Sequence, residues 1–296
     1  GAALPSLQQG QANQTAGGDA TMPTTPAPVT IVGGGMITEL QILPSLYHLQ
    51  REHAVGEIHV CALNAPPLKT LAESQRLADA FPGQTFVPHP DFRSVDPEET
   101  FPDLFEEVVD GMPPRSVVFV ALPDALHYRA IRKAVEADQH VLTVKPLVLE
   151  HAQAVEIEQL AFDKGLFVGI EYHKRLDDRA LMARDIYRQG DLGEFKLAQA
   201  TMIEPWYYRD SNFMNWCTCE QSDMFTYVGC HYVDQVHFIT GLMPVEVSVH
   251  GIVDTYPNGN QGYLWTDGRV ISENGASLSV LEAMGYPNQA PGGNNQ

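Results

Sequence analysis

The chain has 296 residues, 44% of them hydrophobic and 19% charged, which is typical of folded globular proteins and enough for about two domains. The 18 Lys and Arg residues against 37 Asp and Glu residues give a net charge of −19, which disfavours nucleic acid or an anionic membrane as a partner. No apolar run is long enough to span a membrane and no signal peptide is readable. We therefore expect a cytoplasmic protein.

Residues 1–28 are rich in Gly, Ala, Gln, Thr and Pro and carry almost no charge, which predicts a flexible leader. Strand-like runs then alternate with helical patterns, the strands at 29–32, 57–63, 116–121, 140–144 and 166–170, and the helices at about 36–52, 67–80, 102–110, 124–138 and 150–165. This alternation predicts an α/β domain with a doubly wound parallel sheet.

After about residue 195 the pattern changes to longer strand-like runs. They lie at 195–205, 245–256 and 277–286, around one helix near 227–240. We expect a second, α+β domain with a large, mostly antiparallel open sheet.

The sequence VTIVGGGMIT, residues 29–38, joins the first strand to the first helix. Gly33 and Gly35 occupy the first two positions of the dinucleotide fingerprint, where the backbone turns sharply and lets a pyrophosphate approach. Thr38 stands at the third position, normally Gly or Ala. Together with Met36 and Ile37, which open the helix, the two glycines predict a cofactor-binding turn in a dinucleotide-binding domain at 29–146.

The end of the second strand offers Asn64 where an acidic residue would bind the adenosine ribose. Asn64 can still hydrogen-bond a ribose hydroxyl. Lys69 is the one nearby cation in the sequence for a 2′-phosphate. The expected cofactor is therefore NAD, with NADP possible.

Residues 121–147, ALPDALHYRAIRKAVEADQHVLTVKPL, resemble the glucose–fructose oxidoreductase / inositol dehydrogenase (Gfo/Idh/MocA) family. Pro123, His127, Lys145 and Pro146 match its pattern, whereas Val144 replaces a typical Glu. The segments GLFVGIEYHKRLDDR, RQGDLGEFKLAQA and GCHYVDQVHFITG continue the resemblance, which spans roughly residues 29–250.

The resemblance implies a Rossmann domain followed by a substrate-binding and oligomerisation domain at 147–296. It places Pro123 and His127 at the cofactor, and Lys145 beside the nicotinamide and the reacting carbon. The bond before Pro146 is often cis in such proteins.

The resemblance also implies that His231 is the proton acceptor and that Asp234, one helical turn on, faces the same way. An ordinary imidazole base is protonated, and so disabled, below about pH 6.5. Several family members carry Asp four residues before this histidine, where the chain has Tyr227. The chain therefore has no carboxylate at that position to assist proton transfer by His231.

Polar and aromatic groups of the second domain are typical of a carbohydrate pocket, and the substrate-binding candidates are Tyr172, His173, Lys174, Trp206, Tyr227 and Asp234. His173 and Lys174 are the stronger ones because they follow a predicted strand end. The alternative for the aromatic residues is a place in the sheet core or in a subunit interface.

Four cysteines suit a reducing compartment. A metal site could in principle be formed by Cys217, Cys219, Cys230 and His231. Only one residue separates Cys217 from Cys219, however, which is unfavourable for structural zinc, so we expect no metal.

The predicted function is NAD(P)-dependent hydride transfer to or from a secondary alcohol of a sugar, glycoside or cyclitol. Two alternatives stay open: NAD-dependent glycoside cleavage through a transient keto-sugar, and a non-catalytic dinucleotide-binding regulator. The resemblance further implies a homo-oligomer, a dimer or tetramer, formed through the C-terminal sheet. The chain ends in GYPNQAPGGNNQ without the further strands and closing helix of the family, so the sheet is short or the sequence is truncated.

Overall fold

The computed structural model describes residues 25–289, so residues 1–24 of the predicted leader lie outside the described residues. The strands are β1 (Ala27–Val32), β2 (Val55–Cys61), β3 (Val87–His89), β4 (Val117–Val120), β5 (His140–Val144), β6 (Val168–Glu171), β7 (Leu197–Pro205), β8 (Pro244–Thr255), β9 (Gln261–Ser272) and β10 (Ser277–Tyr286). The α-helices are α1 (Leu43–Arg51), α2 (Ala65–Ala72), α3 (Gln75–Ala80), α4 (Leu104–Asp110), α5 (His127–Glu136), α6 (His151–Lys164), α7 (Asp178–Gln189) and α8 (Cys230–Thr240). Two π-helical turns, Thr38–Ile42 and Phe225–Gly229, lead into α1 and α8.

The first six strands form one parallel sheet in the order β3-β2-β1-β4-β5-β6. This is the strand order of dinucleotide-binding sheets, so the predicted doubly wound fold is confirmed. Apolar side chains cover both faces: Ile31 and Ile58 belong to one core cluster, and Val118 and Ile131 to the other. The carboxyl ends of β1 and β4, which flank the point where the order reverses, therefore lie side by side.

The structure differs from the sequence prediction in three places within this sheet. β3 was not predicted because it has only three residues and contains Pro88. The predicted helix at 67–80 is two helices, which Ser74 separates by an extended backbone conformation. The sheet also continues past residue 146, where the sequence placed the domain boundary, because α6 returns the chain to add β6.

The second sheet has the order β7-β10-β9-β8, with β10 antiparallel to β9, β9 antiparallel to β8, and β7 parallel to β10. The expectation of a mostly antiparallel sheet is confirmed, with four strands. β9 was not predicted, because Gly262, Asp267 and Gly268 interrupt its β-forming residues, and only its central place between β8 and β10 makes it a strand.

One face of this second sheet is covered by α8 and the π-helical turn before it. Val270, Leu278 and Val280 are buried there against Val233 and Val236 of α8. This face positions the C-terminal half of the site. No helix among residues 25–289 is both long enough and apolar enough to cross a membrane.

Candidate active site

The glycine turn after β1 leaves an open place for a phosphate group. Gly33 has φ +124°, and a Cβ there would lie 2.0 Å from the carbonyl oxygen of Ala121, so only glycine fits between the ends of β1 and β4. At Gly35 a Cβ would meet no atom within 4 Å. Gly33 therefore makes the sharp turn, and the space beside Gly35 fits the pyrophosphate of a dinucleotide.

Thr38 has a definite role at the third fingerprint position. Its side chain is fully buried, and its hydroxyl donates a 2.6 Å hydrogen bond to the carbonyl of Gly33. This bond ties the start of the helix to the turn. Met36 is 54% exposed beside it, whereas Ile37 packs against the core.

A cavity of about 150 Å³ opens beside the turn, lined by Val32, Cys61, Ala62, Leu63, Phe101, Pro102, Phe105, Leu122, Leu126 and Arg129. Asn64 follows the lining residue Leu63 and precedes α2 as its N-cap residue, and its side chain makes no capping hydrogen bond. The place and apolar lining suit the adenosine half of a dinucleotide.

Arg129, which lines this cavity, already has acidic partners. Arg129 pairs with Asp103 and Glu106. Lys69, the cation considered from the sequence, lies 4.0 Å from Glu73.

His127 has a structural position. It is fully buried, with Nδ1 2.7 Å from the carbonyl oxygen of Pro146 and Nε2 2.8 Å from that of Leu122. It therefore joins the loop that carries Pro123 to the segment that follows Lys145, rather than presenting its ring to the open cleft.

Lys145 follows β5 and points into the second domain. Its ammonium group donates a hydrogen bond to the backbone carbonyl of Tyr227 and lies 3.2 Å from the centre of the Tyr227 ring. The side chain is only 9% exposed, and burial lowers the pKa of Lys145, against the raising effects of Cys230, Asp124 and other acidic neighbours. The Lys145–Pro146 peptide bond is cis.

His231 lies in the first turn of α8, one turn after Tyr227. It is 5% exposed, and its Nδ1 has no hydrogen-bond partner among the described residues. Burial first, and then the charges of Lys145, His173 and Lys174, lower the pKa of His231 to about 2. The imidazole is therefore neutral at physiological pH, and its protonation falls well below the pH 6.5 expected for an ordinary histidine.

A second histidine flanks His231. The rings of His173 and His231 meet edge to face with centroids 4.7 Å apart, and Tyr172 lies on the same ring at 6.1 Å. Glu171 Oε1 is 2.9 Å from His173 Nδ1. The structure thus places a carboxylate–imidazole pair at His173, not at the Tyr227 position where several family members carry an acid.

Two sequence candidates make their main contacts elsewhere. Asp234 accepts a 2.7 Å hydrogen bond from Nε of Arg175 and a second bond from the same guanidinium. Trp206 stacks on the guanidinium of Arg209 at 3.8 Å and is 44% exposed. Asp234 is thus engaged with Arg175, and Trp206 packs beside the sheet.

Sequence reasoning missed three acidic residues here: Glu171, Glu204 and Glu282. Glu204 and Glu282 are 8% and 2% exposed, respectively, and face α8 from the second sheet. The alternation of side chains along β10 was a usable signal, because Glu282 lies on the same face of the strand as the buried Leu278 and Val280.

The cysteines considered as metal ligands are dispersed. Cys217 is buried and Cys219 is exposed, and both are free thiols. Residues 25–289 contain no group of three or more His, Cys, Asp or Glu side chains placed to hold a metal ion.

Comparison with known proteins bears on both halves of the chain. Residues 28–172 match the family model described as "Oxidoreductase family, NAD-binding Rossmann fold", and residues 180–281 match the "GFO/IDH/MocA C-terminal domain". The uncharacterized oxidoreductase YfiI of Bacillus subtilis is 33% identical over 106 residues, which are 35% of this chain and 27% of YfiI.

A second relative is the scyllo-inositol 2-dehydrogenase (NADP(+)) IolW of Bacillus subtilis, 24% identical over 165 residues, or 53% of this chain and 45% of IolW. The chain thus spans less than half the length of either relative. The structure of scyllo-inositol dehydrogenase from Lactobacillus casei, with bound NAD(H) and scyllo-inositol, superposes with a TM-score of 0.65 at 18% identity. That superposition covers 88% of this chain and 71% of the other, and it shows a shared fold.

The glycine turn, the strand order and the family match agree that the N-terminal half is an NAD-binding Rossmann domain. The two family models together cover both domains. The chain belongs to the GFO/IDH/MocA oxidoreductase family.

Proposed function

We propose that the protein is an NAD(P)-dependent oxidoreductase that acts on a secondary alcohol of a sugar, glycoside or cyclitol. The nicotinamide, when bound, supplies the acceptor or donor of the hydride. The relatives named as inositol dehydrogenases, with NAD(H) or NADP, support this substrate class.

One observation carries the proposal: Lys145 of the first domain contacts Tyr227 of the second, one helical turn before His231. Lys145 leaves the carboxyl end of β5, where open α/β sheets bind their ligands. Its charge also lowers the pKa of His231, so the two groups lie within electrostatic reach. A cation and a neutral imidazole from different domains therefore converge at one place.

These two groups have the properties that alcohol oxidation requires. His231 is neutral, and its Nδ1 has no hydrogen-bond partner among residues 25–289, so it can accept a hydrogen bond from the hydroxyl; it takes the proton as the alkoxide that develops beside Lys145 offsets the positive charge that lowers its pKa. Lys145 can stabilise the developing alkoxide, and its own burial and that of His231 strengthen this electrostatic interaction. In the direction of reduction, the same imidazole returns the proton.

We assign the substrate contacts to the groups around His231. Tyr172, His173 and Lys174 follow β6 and surround that ring, and Tyr227 lies against Lys145. His173, oriented by Glu171, is the second candidate for the base. We give Asp234 and Trp206 lower priority as substrate contacts, because Asp234 is bound by Arg175 and Trp206 stacks on Arg209.

NAD is the expected cofactor, with NADP accepted less well. We assign the pyrophosphate to the open space beside Gly35 and the ribose hydroxyls to Asn64, the residue before α2. The ion pairs of Arg129 and Lys69 reduce the attraction that a 2′-phosphate would feel.

We further propose self-association through the C-terminal sheet. β8 is an edge strand, and Val245, Val247 and Val249 are 42–64% exposed on it. Exposed apolar edges of this kind favour pairing with another copy. Light scattering of the purified protein, with Val247→Lys as the disrupting variant, measures the assembly.

The function is tested by incubating the protein with NAD and with NADP over a panel of sugars, glycosides and cyclitols. Nicotinamide absorbance and product mass are followed together. Net reduction of the cofactor on a polyol supports the proposal. Cleavage of a glycoside without net reduction of the cofactor would favour the alternative of NAD-dependent glycoside cleavage through a transient keto-sugar. Cofactor binding without any turnover would favour a non-catalytic regulator.

A further inference from the structure

Two histidines of very different exposure contact each other at the candidate active site. His231 of α8 is 5% exposed, whereas the side chain of His173, in the 3₁₀ turn His173–Leu176 that follows β6, is 48% exposed. Their rings meet edge to face with centroids 4.7 Å apart. His173 therefore touches the buried imidazole while nearly half of its own side chain meets solvent.

An ion pair holds the 3₁₀ turn against α8 independently of this ring contact. Nε of Arg175 donates a 2.7 Å hydrogen bond to Oδ2 of Asp234, and a second hydrogen bond joins the same two side chains. Arg175 lies two residues after His173 on the turn, and Asp234 lies three residues after His231 on α8. The contact between the two histidines is therefore part of a fixed packing of these two elements.

Glu171, the last residue of β6, determines which nitrogen of His173 carries the proton. Its two carboxylate oxygens lie 2.9 Å and 3.2 Å from Nδ1 of His173. A carboxylate only accepts hydrogen bonds, so Nδ1 carries a proton, and Nε2 of the neutral ring is left to accept another. The carboxylate also stabilises the imidazolium that forms when this second proton binds.

The proposed oxidation produces a proton that must leave the site. For each hydride that passes from the substrate carbon to the cofactor, the alcohol O–H bond breaks and its proton moves to His231. Burial and then neighbouring positive charges lower the pKa of His231 to about 2, so this imidazole does not retain the proton once the alkoxide has become a carbonyl. Because His231 is buried, a neighbouring group must take the proton to solvent.

Resting on the proposed function, we propose that His173, oriented by Glu171, is the proton relay between His231 and solvent. In oxidation, Nε2 of His173 accepts the proton that leaves the His231 ring, directly or through one water molecule, and then releases it to bulk water. Reduction runs the same steps in reverse. His173 acts on the substrate through His231 and is not itself the base.

The relay is tested by the kinetics of His173→Ala on the polyol of the panel that wild-type protein oxidises. In dilute buffer we expect kcat to fall by about tenfold or more, because departure of the proton becomes the slow step. Imidazole added to the buffer replaces the missing ring and should restore kcat. With the polyol deuterated at the oxidised carbon, the isotope effect on kcat should shrink in the variant, whereas the effect of D2O should grow.

The chain offers a matched control at His59 on β2. Its Nε2 lies 2.9 Å from a carboxylate oxygen of Glu57, two residues earlier, so it forms a similar histidine–carboxylate pair away from His231. His59→Ala should leave kcat, both isotope effects and the response to imidazole unchanged.

Nitrogen-15 NMR of the cofactor-free protein gives a measurement that does not depend on turnover. We expect neutral His173 to carry its proton on Nδ1, and Glu171→Gln to weaken this preference, because an amide can donate as well as accept. Neutral His173 with its proton on Nε2 would have no acceptor for the proton of His231, and this result would overturn the relay.

The kinetic outcomes separate the two proposals. If wild-type protein oxidises a polyol and His173→Ala matches its kcat in dilute buffer, the relay is wrong while the proposed function stands. If His173→Ala is slow but imidazole does not restore turnover and the substrate isotope effect does not shrink, His173 is the base or a structural residue, and the relay is again wrong. If wild-type protein oxidises no polyol of the panel, the proposed function fails and this inference fails with it.

Discussion

The ammonium group of Lys145 donates a hydrogen bond to the backbone carbonyl of Tyr227, 82 residues further along the chain, and lies over that residue's ring. The contact joins the segment that follows β5 to the π-helical turn that leads into α8, the helix that carries His231. It makes the position of the candidate base dependent on the carboxyl end of β5.

The glycine turn predicts different effects for two neighbouring substitutions. Gly33→Val forces a Cβ against the Ala121 carbonyl at positive φ, so the free energy of unfolding should fall by more than about 1 kcal/mol. Gly35→Val meets open space, so the variant should fold normally yet lose affinity for NAD, because the side chain fills the pyrophosphate place. Urea unfolding and calorimetry measure the two effects. Unchanged NAD affinity of a folded Gly35→Val protein would contradict the proposed phosphate site.

Cofactor choice is tested at Asn64. The amide does not repel a 2′-phosphate as a carboxylate would, so wild-type preference for NAD over NADP should be modest. Asn64→Asp should increase the ratio of the two dissociation constants by about tenfold or more. A strong wild-type preference for NADP would show that a cation near Asn64 escapes its acidic partner when the cofactor binds.

Local sequence rules predicted the strands that are apolar and continuous, which is why most of the parallel sheet was found. These rules failed at β3, because three residues are too few to show an alternating pattern. They also failed at β9, because its glycines weaken the strand pattern and the segment is held as a strand by pairing with β8 and β10. At the site, Lys145 and His231 came from ordered motifs. Glu282 did not, because a glutamate in a strand is usually exposed, and its burial depends on α8 packing over the sheet.

The domains are also joined by a buried hydrogen bond between Ser222 and Asp124, 2.5 Å long. Asp124 is 3% exposed, and burial raises its pKa while the Ser222 bond lowers it. Ser222→Ala removes the donor, so we expect about 1–3 kcal/mol lower stability in urea unfolding. Ser248→Ala, at an exposed position of β8, is the control and should be neutral. If Ser222→Ala is as stable as Ser248→Ala, the Ser222–Asp124 hydrogen bond does not stabilise the contact between the domains.

Acid stability depends on His231. Its folded-state pKa is lowered to about 2, whereas the unfolded imidazole binds a proton below about pH 6.5, so protonation favours the unfolded state between these values. The free energy of unfolding should therefore fall as the pH falls from 6.5, with a contribution of up to about 1.4 kcal/mol per pH unit. His231→Asn should reduce that slope, and His250→Asn, at an exposed position, should retain it. If the free energy of unfolding falls equally steeply with pH in wild type and in His231→Asn, the buried imidazole is not held neutral.

The central claim is that Lys145 and His231 act in the transition state of alcohol oxidation. The most direct measurement is kcat of His231→Ala and Lys145→Ala on the polyol that wild-type protein oxidises, with the dissociation constant of NAD measured on the same samples. The account predicts that each variant loses on the order of a hundredfold or more in kcat while NAD affinity is retained. Normal turnover by a folded His231→Ala protein would contradict it and transfer the role of base to His173.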